Sequence, residues 1–263
     1  MRLALGVEYD GTHFSGWQVQ REGVRTVQAA LEHALSKVAA SDVAVICAGR
    51  TDAGVHAVGQ VVHFDCEVER PDKAWVLGTN SNLPSDAAVK WVRQVGEEFH
   101  ARYRARGRHY RYLIEVSPTR PVLDRHRVSW HRTALDAQRM HLAAQQLLGV
   151  HDFSSFRASE CQAKSPKRRL EQVAVRRDGQ RILIDLEANA FLHHMVRIIV
   201  GTLLPIGRGE KPVRWLADVL EARDRSAAGK TADACGLYLT AVHYDEQFPL
   251  PSPSPGFSDD RLA

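Results

Sequence analysis

Two ionisable residues stand two positions apart between glycines in the stretch CAGRTDAGVH, Cys47 to His56. They are Arg50 and Asp52, with Gly49 before them and Gly54 after. In an extended segment, residues i and i+2 project to the same side, so guanidinium and carboxylate can meet there. Such a pair keeps the carboxylate ionised and oriented. One carboxylate held this way is competent as a nucleophile or as a general base. The flanking glycines let a bulky substrate approach the backbone. The same residues also suit a solvated turn, where Asp beside glycine is common. His56 is a candidate partner, although a lone histidine beside a strand is more often structural.

A second chemistry is written into HARYRARGRHYRY, His100 to Tyr112. It holds five arginines (Arg102, Arg104, Arg106, Arg108, Arg111) and three tyrosines (Tyr103, Tyr110, Tyr112) in 13 residues. Arginine supplies phosphate contacts and tyrosine supplies stacking faces. On a strand over 109–116, Tyr110 and Tyr112 share one face and Arg111 takes the other. A ring on that face can stack on an exposed base. Another basic stretch, QAKSPKRRLEQ (162–172), carries Lys164, Lys167, Arg168 and Arg169 on a loop entering a strand. Both stretches also fit solvated basic segments.

The adjacent His193 and His194 in ANAFLHHMVR (188–197) invite a metal reading. Neighbours on a helix point about 100° apart, and no carboxylate at metal-like spacing accompanies them, so no metal is expected. Asn189 and Arg197 either face a substrate or cap and solvate the helix. No G-x-x-x-x-G-K-[ST], G-x-G-x-x-G or G-x-S-x-G occurs, so no nucleotide cofactor loop or hydrolase elbow is present. RTDAG has no second copy, which excludes a two-carboxylate protease site.

These groups need elements to hold them. Strands are expected over 3–9, 44–49, 60–65, 88–95, 109–116 and 236–245. Asp178-Gly179 marks a hairpin within 171–188. Thr26 can cap a helix bearing Val27, Leu31, Leu35 and Val38 on one face. Helices are also expected over 136–148, with Met140, Ala143, Leu147 and Leu148 on one face and Gly149 as its C-terminal cap, from 191 onward, and over 213–222. The segment 79–86 reads as a loop. Strands and helices recur in similar order in each half. The expected class is α+β, with two related lobes of mainly antiparallel sheet, helices packed on one side and a cleft between them. The lobes are set at 1–105 and 106–247, followed by a Pro/Ser-rich tail at 248–263 expected to be disordered.

The chain has 263 residues, 44% hydrophobic and 25% charged, which is ordinary for a soluble protein with a large core. A net charge of +4 and a pI near 9.0 form a mild basic bias, weak alone as evidence for a polyanionic partner. Cys47, Cys66, Cys161 and Cys235 include no C-x-x-C pair, and the expectation is reduced thiols in a cytoplasmic protein. The first residues read as a strand rather than a signal peptide, and no apolar run approaches a membrane span.

The motifs GRTDAGVHA (49–57), YDGTHFSGWQ (9–18), NLP (82–84), FHAR (99–102), HYRYLI (109–114), GVHDFSSF (149–156), ANAFLHHMVR (188–197) and GLYL (236–239), in this order, resemble the bacterial tRNA pseudouridine synthase A family. The resemblance runs from about residue 3 to 245. It implies that Asp52 is the catalytic aspartate and Arg50 the arginine paired with it. Tyr110 would stack on the target base and could move its C5 proton, and Leu237 would line the pocket. Arg102, Arg104, Arg108, Arg111, Lys164, Lys167, Arg168 and Arg197 are the basic residues expected to meet RNA. The family isomerises uridine to pseudouridine at positions 38, 39 and 40 of the tRNA anticodon arm. It has a duplicated RRM-like fold and works as a homodimer without cofactor or metal. A non-catalytic RNA-binding protein and a hydrolase using Asp52 are the competing readings. An anion facing phosphates would repel RNA unless it did chemistry, which favours the isomerase.

Overall fold

The computed structural model describes residues 1–251. The chain divides into two compact units, one made of 1–106 together with the chain from Tyr238 onward, the other of Gly107–Leu237. The architecture is α+β, with ten strands and five α-helices among the described residues.

In the first unit, β1 (Arg2–Tyr9) lies between β3 (His56–Asp65) and β4 (Ala87–Val95), antiparallel to both. The short β2 (Ile46–Cys47) pairs antiparallel with β3. Only two of the residues expected as a strand over 44–49 form one, because the chain turns away after Cys47 into the glycine-flanked loop. Helix α1 (Val27–Ala39) starts where Thr26 accepts the Ala29 N–H, and buries Val27, Leu31, Ala34 and Leu35. Helix α2 (Asp72–Asn82) packs beside α1. Its sequence has little apolar periodicity, so part of it reads as loop. It is held by Trp75, fully buried and edge-on to Phe64 at 5.4 Å.

Alternation along the strands assigns the two sheet faces. Leu3, Leu5, Val62 and Phe64 face the helices, while Ala4 and Val61 face a cluster with Phe99, Ala101 and Phe248. Phe248 and Leu250, read from sequence as the start of a loose tail, pack here against the sheet. The rest of that expected tail, 252–263, lies outside the described residues. Strand β10 (Leu237–Tyr244), grouped by sequence with the second lobe, completes the first unit. Its Tyr238 and Leu239 pair in parallel with His56 and Ala57.

In the second unit, β5 (Ala105–Val116), β9 (Arg181–Ala188), β8 (Lys167–Asp178) and β7 (Gly149–Asp152) form an antiparallel sheet in that order. The short β6 (Ser129–His131) runs parallel to β5. The expected hairpin turns at Gly179, whose φ of +55° suits glycine. Helix α3 (Ala137–Ala144) is capped by Asp136 and packs on β8 and on α4 (Met195–Gly207). Helix α4 begins at Met195 rather than 191, because His194 is left-handed at its cap. Helix α5 (Trp215–Ala222) buries Leu216, Val219 and Leu220. No helix among the described residues is long and apolar enough to cross a membrane.

Candidate active site

Hydrogen bonds tie the loop between β2 and β3 to the fold at Gly49, Thr51 and Asp52. Gln60, on the helix-facing side of β3 and fully buried, donates its Nε2–H to the Gly49 carbonyl at 2.6 Å. Thr51 is buried, with its hydroxyl 2.8 Å from that of Tyr9 and its carbonyl accepting the Trp17 N–H at 2.9 Å. The Asp52 carbonyl accepts the Val55 N–H at 3.1 Å and closes a turn. Gly54 takes φ +77° in that turn. Gly16, at φ +93°, passes close beneath, and a Cβ there would lie 2.9 Å from the Thr51 carbonyl oxygen.

With Thr51 anchored inward, its neighbours point outward. Arg50 is exposed and Asp52 half-buried. The half-buried carboxylate therefore stands on a backbone fixed from below. Under it, burial pushes the Cys47 thiol up to about 12, against the pull of the Arg50 and Arg102 guanidinium groups. That thiol is protonated at neutral pH and takes no part as a nucleophile.

His56 is a structural histidine here. It is 2% exposed, its Nδ1 accepts the Gly11 N–H at 3.0 Å, and its ring stacks on Tyr238 at 4.7 Å. The Asp10 carboxyl is held well below the usual carboxylate range by the His56 ring 3.2 Å away and by the N–H and hydroxyl of Thr12. The Thr12 N–H and hydroxyl are the contacts whose donor is certain, since His56 Nδ1 also accepts from Gly11.

In the second unit, β5 presents Tyr110 and Tyr112 on one face, as its alternation requires. Tyr112 is wholly buried, and its hydroxyl donates to the Asp233 carbonyl at 2.9 Å. Tyr110 is 8% exposed, edge-on to Phe191 at 5.1 Å. On the opposite face, Arg111 forms a two-point ion pair with Asp185 at 2.7 and 3.3 Å, joined by His109 at 3.6 Å and Arg176 at 3.9 Å. Arg108 donates to the Asn189 carbonyl and Arg197 to the Ala232 carbonyl, each at 2.8 Å. Arg168 is half-buried and donates to the Ser165 carbonyl, whereas Lys164 and Lys167 are exposed. Leu237 is 5% exposed and starts β10. Arg102 and Arg104 are exposed in the first unit.

Motif reading passed over Tyr9, Gly16, Thr51 and Gln60 as parts of the site, although three of them lie inside quoted motifs. The legible signal was Gln60, a polar residue between apolar neighbours at a core-facing position of its strand.

The description "tRNA pseudouridine synthase" belongs to the family profile that matches residues 6–104 and 143–245. Over 250 residues the chain is 57% identical to tRNA pseudouridine synthase A of Pseudomonas aeruginosa, covering 95% of this chain and 88% of that protein. It is 55% identical over 251 residues to the protein of that name from Shewanella denitrificans, covering 95% and 96%. Against the one from Cronobacter sakazakii it is 54% identical over 256 residues, covering 97% and 94%. The chain thus belongs to the tRNA pseudouridine synthase family.

Proposed function

We propose that this protein isomerises uridine to pseudouridine at positions 38, 39 and 40 in the anticodon stem-loop of tRNA, with Asp52 as its catalytic carboxylate. The observation that carries this reading is the anchoring of Thr51. Side chain and carbonyl are both bonded into the fold, which leaves the adjacent carboxylate pre-positioned within the span matched by the family.

The reaction breaks the N1–C1′ bond, turns the uracil over and joins C5 to C1′, and the C5 proton leaves to solvent while N1 takes up a proton. It is redox-neutral and balanced without a co-reactant, so no cofactor is called for. Asp52 serves as nucleophile or base, and Arg50 is assigned to orient it. The target base must leave its stack, which calls for an aromatic face and an apolar wall. Tyr110 is assigned the stacking ring and the carriage of the C5 proton, and Leu237 the wall. Acting on three neighbouring positions favours shape and phosphate contacts over base-edge readout. Arg102, Arg104, Lys164 and Lys167 suit that task by their exposure, while Arg108, Arg111, Arg168 and Arg197 add charge from within protein hydrogen bonds. The two units are assigned as related RRM-like lobes, and the working form as a cytoplasmic homodimer.

Tritium release from C5-labelled uridine in tRNA tests the assignment. The wild-type protein should release tritium, and Asp52→Asn should lower the rate by about a thousandfold or more while still binding tRNA. Undiminished release from a folded Asp52→Asn protein would sink the role of Asp52. A wild-type protein that binds tRNA and releases none would instead be a binding protein.

A further inference from the structure

Tyr103 is 76% exposed, an unusual position for a large aromatic side chain that is nevertheless ordered. It ends a short column of rings. His63 is buried on β3 and lies 4.7 Å from His100, and His100 stacks on Tyr103 at 4.3 Å with planes 30° apart. The column is fixed from the inside. His63 Nδ1 accepts the Ala101 N–H at 3.1 Å. His100 Nδ1 lies 3.2 Å from both the Arg102 and Tyr103 backbone nitrogens, and accepts from each. The Arg104 N–H closes the turn onto the His100 carbonyl at 3.0 Å. Tyr103 thus rests on His100 and leaves most of its ring open to solvent.

Charge surrounds the ring. The Arg102 guanidinium carbon is 5.9 Å from the ring centroid, and Arg102 and Arg104 are both exposed. Arg102 also acts with Arg50 on the Cys47 thiol, which puts this turn beside the strand that leads into the Asp52 loop. Burial and the nearby Arg2 and Arg102 hold His100 below its usual range, so the ring under Tyr103 is neutral at pH 7.

An exposed, pre-ordered aromatic face flanked in sequence by two exposed arginines, close to the proposed catalytic loop, is suited to one ligand chemistry. The cations take phosphates and the ring takes an unpaired base. Simple apolar contact with a protein would not need the flanking arginines, and double-stranded RNA offers no exposed base face.

We propose that Tyr103 is a stacking platform for an unpaired base of the bound RNA, with Arg102 and Arg104 on the phosphates to either side. The identification of that RNA as tRNA rests on the function proposed above; the stacking does not.

The test is equilibrium binding of an unmodified tRNA transcript and of a fully paired RNA duplex to wild type, Tyr103→Phe and Tyr103→Leu. Tyr103→Leu should weaken tRNA binding about ten-fold, and KM in the isomerisation assay should rise with Kd. Tyr103→Phe should bind as wild type does, and duplex binding should not distinguish the three proteins. Unchanged tRNA affinity in Tyr103→Leu would overturn the proposal, as would an equal loss on duplex and tRNA. A wild-type protein without isomerase activity would overturn the proposed function and leave the binding comparison to decide the platform by itself.

Discussion

The hydroxyl groups of Tyr9 and Thr51 lie 2.8 Å apart and both side chains are buried. This bond joins the end of β1 to the residue immediately before Asp52. Tyr9→Phe removes one partner and leaves the other without it, at a cost of about 1–2 kcal/mol of stability. Urea unfolding should show that loss. The rate of pseudouridine formation should fall through kcat, because the carboxylate loses its fixed backbone while the RNA-binding surface is untouched. A Tyr9→Phe protein with wild-type kcat would show that the loop is positioned by its backbone bonds alone.

Gln60 holds the entry to the same loop through the Gly49 carbonyl. Gln60→Leu keeps similar bulk and leaves that carbonyl without its buried donor. The expected loss is about 1–3 kcal/mol in unfolding free energy, accompanied by a lower kcat. Comparing tRNA affinity in the same variant checks the cause, since a displaced loop should leave Kd close to wild type.

Gly16 and Gly23 both have positive φ, +93° and +82°, but differ in what surrounds them. An added Cβ at Gly16 would press on the Thr51 carbonyl oxygen, whereas at Gly23 it would meet open space. Gly23→Ala should cost about 1 kcal/mol of stability from backbone conformation alone. Gly16→Ala should cost more and also slow the reaction. Equal thermal shifts and equal rates for the two variants would remove the contact as a factor.

His63 gives the fold a dependence on acid. Its burial, with help from His100 and Arg2, lowers its pKa from the ordinary 6.5 to about 4, partly offset by Asp65. Protons therefore bind the unfolded chain first as pH falls. The associated stability, roughly 3 kcal/mol at most, is fully present above pH 6.5 and is lost as pH falls to about 4. Urea midpoints across this window should drop more steeply for wild type than for His63→Gln. Parallel curves would assign the acid sensitivity to other groups.

The local elements were legible where one rule decided them. Thr26 with Val27, Leu31 and Leu35 marks α1, and Asp178-Gly179 marks the β8–β9 hairpin, because capping and turn chemistry are local. Helix α2 was not legible, because it is held mainly by Trp75 against Phe64, a contact between two different elements that no local rule reports. Strand β10 was itself legible over 236–245, but its partner was not. Its pairing with β3 joins residues 182 apart, Tyr238 and His56, and no periodicity reports such a partner. At the site, the spacing of Arg50 and Asp52 was readable as chemistry. Of the supports, Gln60 left a signal as a polar residue at a core-facing strand position, whereas Tyr9 looks like an ordinary strand residue until its hydrogen bond is seen.

The first unit is assembled from both ends of the chain, with a separate unit of 107–237 between them. On a ribosome, β1, β3 and β4 are made early, but Tyr238, which pairs with His56, and Phe248, which packs with Phe99, emerge last. Translation of the intervening residues takes on the order of ten seconds. For that interval the nascent first unit has an unfilled strand position at His56 and an uncovered Phe99. Such open edges recruit strands from other chains. The first unit therefore gains its β10 strand and the Phe248 contact only after residues 107–237 have been made.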